Sequence, residues 1–184
     1  PTPRSVTLAD RVHTHTGMNH HPVSRQVKRG GYRNVRRRPI GQKRNRTLRG
    51  ATVDVCSQMD DDDYYGPDYI ANVLHAFRQN PTVDVVGSSM IQLSYPAAWQ
   101  AGRVSPSWPS QPAAATLSYR RPYVQRHAYD DDATHAEESR ILNNYRTPLH
   151  QLVTSATDYI ALVHTRNTVD KFMLRRRVVP SLYW

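Results

Sequence analysis

The stretch TVDVCSQMDDDDYYGPDYIANVLHAF, residues 52–77, decides the fold. Its first part alternates Val53, Val55 and Ser57 against Asp54, Cys56 and Gln58, which predicts a strand of β-branched character. Its last part sets Ile70, Val73, Leu74 and Phe77 at helical spacing, which predicts a helix with one apolar stripe. Pro67 opens that helix in this reading, because its missing N–H costs nothing there. Between strand and helix stand Asp60, Asp61, Asp62 and Asp63. Adjacent carboxylates repel one another, so water, a basic neighbour or a bound cation must offset the repulsion. Ligands of α/β sheets gather at the carboxyl ends of strands, and hard oxygen donors suit Mg²⁺ or Mn²⁺. A solvated acidic turn at the positive end of the next helix explains the same residues without a ligand.

Upstream, GQKRNRTLRGA predicts a helix with Gly50 suited to its C-terminal end. Downstream, VDVVGSSMIQLSY (83–95) reads as one long or two short strands, and ATLSYR (115–120) and DYIALVHT (158–165) as further strands. THAEESRILNNYR (134–146) reads as a helix, with Thr134 and Glu137 spaced as a capping box. NTVDKFMLRRR (167–177) reads as a short helix or turn, and residues 96–115 as a long Pro-, Ser- and Ala-rich loop. Strands alternating with helices make an α/β domain with a mixed sheet.

Charge divides the chain. Residues 1–50 hold thirteen Lys and Arg against Asp10 alone, while the whole chain of 184 residues is +10, so residues 51–184 are close to neutral. Such a basic segment attracts phosphates: nucleic acid, anionic lipid heads or a nucleoside diphosphate. The expected organisation is a basic arm (1–35), a domain (36–175) and a basic, apolar-ended tail (176–184). Cys56 is the only cysteine, which points to a reducing, cytoplasmic compartment. No apolar run is long enough to span a membrane.

The order of IGQKRN, a spacer, a short strand, MDDDDYYGP and an amphipathic helix resembles the GT-A nucleotide-diphospho-sugar glycosyltransferases, most closely the family 2 type. The residues that carry the likeness are Arg44 and Asn45, then Asp60 to Asp63 with Tyr65 and Pro67. The carboxylate pair Glu137 and Glu138, and His164, Asn167 and Thr168, follow in the family's order. The resemblance implies a GT-A-like α/β fold with a mixed sheet flanked by helices. It implies a metal-dependent transfer of a sugar from a nucleotide-diphosphate donor to an acceptor hydroxyl, with inversion. Asp60 would approach the ribose or the metal, Asp62 would hold Mn²⁺ or Mg²⁺, and Asp63 would assist. Lys43 and Arg44 would face the nucleotide or its phosphates, Glu138 would be the general base, and His164 would complete the metal site. Glu138 also stands on its own terms: it shares a helix face with Ile141, Leu142 and Tyr145, and a carboxylate beside an apolar face is desolvated toward its neutral form. A helix-entry acidic pair that satisfies the dipole is the alternative.

The front of the chain departs from the family. Members begin with an apolar strand, a helix and a second strand, whereas here a His-rich basic arm occupies the positions before Gln42. The fold expected is therefore GT-A-like and truncated at the front, leaving a sheet edge for another subunit or the arm to cover. The competing function is a non-catalytic structural or virion protein on a degenerate GT-A domain, with residues 1–50 gripping a protein or nucleic acid. Other features carry less. His13, His15, His20 and His21 fit no standard zinc spacing, Asp130 to Asp132 read as a solvated acidic loop, and Trp99, Trp108 and Tyr95 could stack on a sugar or simply pack the loop.

Overall fold

The computed structural model describes residues 12–16, 38–95, 100–104, 111–155, 157–165, 167 and 179–180, with the backbone alone at 12–16, 100 and 179–180. Two five-stranded mixed sheets form the framework. In the first, β1 (Val12–Thr16) runs parallel to β2 (Val55–Met59). Strand β7 (Ser118–Arg120) is antiparallel to both β2 and β4 (Val85–Gly87), and β8 (His150–Gln151) closes the other edge, parallel to β4. In the second, β5 (Ile91–Tyr95) sits between β6 (Gln100–Val104) and β9 (Tyr159–Leu162). The short strands β3 (Tyr64–Tyr65) and β10 (Val179–Pro180) lie at its edges.

Helix α1 (Ile40–Gly50) forms where expected, with Arg49 in the last turn complementing the dipole. Its buried face is unusual in being polar: Gly41, Arg44, Asn45 and Leu48. Gly50 does not adopt the left-handed conformation of a C-terminal glycine; the helix stops because Ala51 is extended. Helix α2 (Tyr69–Gln79) has Asp68 as its N-cap, so Pro67 precedes the helix rather than opening it, and the helix buries Tyr69, Val73, Ala76 and Phe77. The stripe is thus rotated from the expected one, with Ile70 and Leu74 at its margin. Val73 and Phe77 are fully buried, each contributing about 1.5–3 kcal/mol.

Two cores flank the first sheet. Val55 and Val86 face one, shared with α2 and the second sheet; Cys56, Val85 and Tyr119 face the other, under α1, α3 (Arg121–Arg126) and α4 (Glu138–Ile141). This corrects the expected in–out alternation: Val55 to Gln58 are all buried, because both faces of β2 are covered. The 83–95 segment resolves into β4 and β5, one in each sheet. The helix expected over 134–146 shrinks to one turn, since Asn143, Asn144 and Tyr145 take φ of 50°, 52° and 60°. The long loop contains β6, and the tail's Val179–Pro180 pairs with it. The arm's Val12–Thr16 covers the edge of β2, which had been expected to need the arm or a subunit. The readings of His20, His21, Trp99, Trp108, Thr168 and 168–178 lie outside the described residues.

One glycine fixes how α1 meets the loop that carries the glutamates. A Cβ on Gly41 would stand 1.7 Å from the carbonyl oxygen of Asp130, whereas one on Gly50 would meet nothing within 4 Å. Gly41→Ala should therefore lower unfolding free energy by about 1–3 kcal/mol through overpacking. Gly50→Ala should be neutral or stabilising by up to about 1 kcal/mol. Urea melts of both variants check the pair, and equal effects would contradict the close approach.

Candidate active site

The four aspartates form the turn from β2 into β3, and their surroundings give each a different task. Asp63 is fastened to β9: its Oδ2 accepts from the Tyr159 hydroxyl at 2.8 Å and its Oδ1 from the Leu162 N–H at 3.0 Å. The backbone N–H of Asp60 donates to the Tyr65 hydroxyl at 2.8 Å, which in turn donates to the Ala115 carbonyl at 2.9 Å. The Tyr65 ring packs on Tyr69 and Tyr159 with centroids 5.0 and 5.2 Å apart, so an aromatic pedestal carries the turn. Burial, and then the charge of the nearby aspartates, keeps the Tyr65 and Tyr159 phenols neutral and able to donate. Asp62 Oδ2 lies 3.0 Å from both His164 Nε2 and Asn167 Nδ2. Oxygens of Asp60, Asp62 and Asp63 all lie within 4.8 Å of one another, while Asp61 points to solvent.

Helix α1 supplies the basic side of the site. Arg44 is 6% exposed, and its guanidinium donates to Glu137 Oε1 at 2.9 Å, Gln58 Oε1 at 3.1 Å and Asp60 Oδ1 at 3.0 Å. It also lies 5.9 Å from the centre of the Tyr129 ring. Burial works against its charge, but Tyr129, Asp60 and Glu137 more than offset this and hold the proton. Arg44 was expected to face phosphates; three of its N–H groups are committed to protein instead, because a buried guanidinium must be paired. Asn45 holds the incoming loop: its amide donates to the Tyr129 carbonyl at 2.9 Å and to Asp131 at 2.8 Å, and accepts from the Tyr129 N–H at 2.8 Å. Lys43, by contrast, is exposed.

The same loop delivers Glu137 and Glu138. No capping box forms: Glu137 is itself the helix N-cap, without a side-chain cap bond, and its carboxylate goes to Arg44. Glu138 is buried, and its Oε1 accepts from the Tyr145 hydroxyl at 3.0 Å. Burial raises its pKa above the ordinary glutamate value and Glu137 adds to this, while its own backbone N–H, Tyr145 and Arg44 pull the other way.

A cleft of about 600 Å³ joins these parts. Asp60, Asp62, Glu138, Lys43, Gln111 and Asn167 are on its walls. His164 reaches Asp62 but does not line the cleft. Of the expected site residues, then, Asp60, Asp62 and Glu138 share one space, Lys43 and Arg44 stand on its wall, and His164 supports it through Asp62. Tyr65 and Glu137 stand in the motifs of the sequence reading without a role in the site, and Gln58, Tyr145 and Tyr159 were not assigned one. Of the latter three, only the spacing of Tyr145 from Glu138 gave a signal.

No protein-family model matches the chain, and no curated protein does. Solved structures do share its fold. S. aureus TarS 1-349 in complex with UDP-GlcNAc matches with a TM-score of 0.51 at 15% identity, over 71% of this chain and 40% of that one. The same protein in complex with UDP gives a TM-score of 0.50 at 17% identity, over 68% of this chain and 40% of that one. The chain thus spans about 40% of the length of the structures it matches. The likeness is one of fold: mixed sheets flanked by helices in a GT-A-like arrangement.

The raised pKa of Glu138 has a consequence for stability. The folded chain holds this proton more tightly than the unfolded one, so the contribution of Glu138 is present in full below the ordinary glutamate pKa and is lost as pH rises through the raised value. Glu138→Gln removes that loss. In urea melts from about pH 4 to about pH 8 the variant should gain on the parent as pH rises. Parallel curves would place Glu138 in water-like surroundings.

Proposed function

We propose that the chain transfers a sugar from a nucleoside-diphosphate donor to an acceptor hydroxyl. The observation that carries this reading is that Asp60, Asp62 and Glu138 open onto one cleft of a GT-A-like fold. The TarS structures it resembles are complexes with UDP and UDP-GlcNAc, which makes a UDP-sugar the first donor to test.

The residues fit a divalent cation. Asp60 and Asp62 are hard donors; Asp60 gives one oxygen to Arg44, and Asp62 gives one to His164 and Asn167, so each keeps an oxygen for a ligand. Asp63 has both oxygens held by protein donors and serves to fix the turn. Asp60 and Asp62 would hold Mn²⁺ or Mg²⁺ with His164 as support; such an ion supplies charge that neutralises a departing diphosphate. Lys43 adds an exposed positive charge at the wall, suited to a phosphate.

Glu138 is the base. Its raised pKa brings it nearer the working pH, where a general base acts best. The acceptor oxygen attacks the anomeric carbon while its proton passes to the Glu138 carboxylate. The bond from that carbon to the diphosphate oxygen breaks, and the electron pair leaves with the diphosphate. Attack from the face opposite the leaving group inverts the anomeric centre, which is the family 2 type of outcome. Arg44, on the cleft wall, supports this chemistry by holding the Asp60 and Glu137 carboxylates in register.

Mn²⁺ with UDP should raise the melting temperature, by about 2.7 kcal/mol of stability at a ligand concentration of one hundred times Kd. Asp62→Ala should remove the gain. Glu138→Gln should keep it and lower transfer by at least about 100-fold. A melting curve indifferent to metal and nucleotide would overturn the reading.

A further inference from the structure

We propose that Tyr145 is a positioning residue for Glu138: a left-handed turn presents its hydroxyl to one carboxylate oxygen and so fixes how that carboxylate sits on the cleft. The inference rests on the glycosyltransferase reading for its catalytic meaning, and on geometry for the rest.

The backbone at this point favours glycine. Three successive residues, Asn143, Asn144 and Tyr145, have φ between 50° and 60°. Asparagine tolerates that region, but a bulky ring does not adopt it readily. A strained residue persists only where its surroundings over-determine it, and here they do. The Asn144 N–H donates to the Ser139 carbonyl at 2.7 Å, and the Ser139 hydroxyl to the Asn144 side chain at 3.2 Å. The N–H groups of Arg146 and Thr147 both reach the Leu142 carbonyl at 3.1 Å. The turn is therefore pinned to the only helical turn that carries Glu138.

The side chain explains what the strain achieves. The Tyr145 ring packs against the core under α1 and α4, and its hydroxyl donates to Glu138 Oε1 at 3.0 Å. Gln111, on the cleft wall, hydrogen-bonds to the same phenol. Tyr145 thus links the base to Gln111 on the cleft wall. A phenol donating to a carboxylate also favours its charged form, the form that accepts a proton. The groups that face Glu138 are Glu137 beside it, Arg44 from α1, Tyr129 from the incoming loop, and Tyr145. Among them Tyr145 is the one with a direct side-chain hydrogen bond to it.

The test is a carbon-13 carboxyl NMR titration of the full chain, with the Glu138 signal identified by its loss in Glu138→Gln. Tyr145→Phe keeps the ring and removes only the hydroxyl. Its Glu138 midpoint should move up, because a donor to the charged form is gone. With UDP-GlcNAc as donor and water as acceptor, UDP release should fall about tenfold in kcat with KM unchanged. An unmoved midpoint in a folded variant overturns the proposal. A shifted midpoint in a protein whose parent releases no UDP upholds the positioning role and rejects the glycosyltransferase reading.

Discussion

A guanidinium taken out of water must be paired, and in this chain Arg44 is paired with three groups from two separate segments. Gln58 lies near the end of β2 and Asp60 begins the acidic turn that follows, while Glu137 lies 93 residues away at the entry to α4. An unpaired charge in such a place would cost several kcal/mol, so each partner is held to the position that Arg44 allows. The consequence is geometric. Asp60 and Glu137 cannot move apart without exposing the buried charge, and their neighbours Asp62 and Glu138 are thereby kept on one cleft. Electrostatic pairing inside the fold sets the spacing between a carboxylate cluster and a candidate base.

The rest of the site is built to hold that spacing. Tyrosines are its main material. Tyr65 and Tyr159 grip the acidic turn from below, and Tyr145 holds Glu138. Asn45 does for the backbone of the loop what Arg44 does for its side chain, with three hydrogen bonds to Tyr129 and Asp131. Gly41 lets that loop approach α1 until no Cβ would fit. The buried face of α1 is polar for this reason: it recognises a loop rather than packing a core. Buried polar groups of this kind favour a single arrangement when all are satisfied.

Legibility in the sequence followed the strength of local signals. The β2–acidic turn–α2 unit was readable because a β-branched strand, a charge cluster and a helical apolar stripe each have their own period. The extent of β2 burial was not, since coverage of both faces depends on helices distant in the chain. The 134–146 helix was overread: its apolar spacing is helical, yet the hydrogen bonds of Ser139 and Leu142 draw the chain into a left-handed turn. Glu137 fitted a capping box locally, but a buried arginine from α1 competed for the same carboxylate and won. Arg44 illustrates the limit most clearly. Its place beside Asn45 marked it as a site residue, while its partners, 14 to 93 residues away, could be seen only in three dimensions.

The most direct test of this account is a double-mutant cycle between Asp60→Asn and Glu137→Gln, read by urea unfolding at neutral pH. Their side chains are not in contact with each other in the hydrogen bonds of the site; they are joined through Arg44. If Arg44 links them, the paired substitution should depart from the sum of the single ones by about 1 kcal/mol or more. Additive effects would show that the acidic turn and the glutamate loop hold their places independently, and that Arg44 is not what brings them to one cleft.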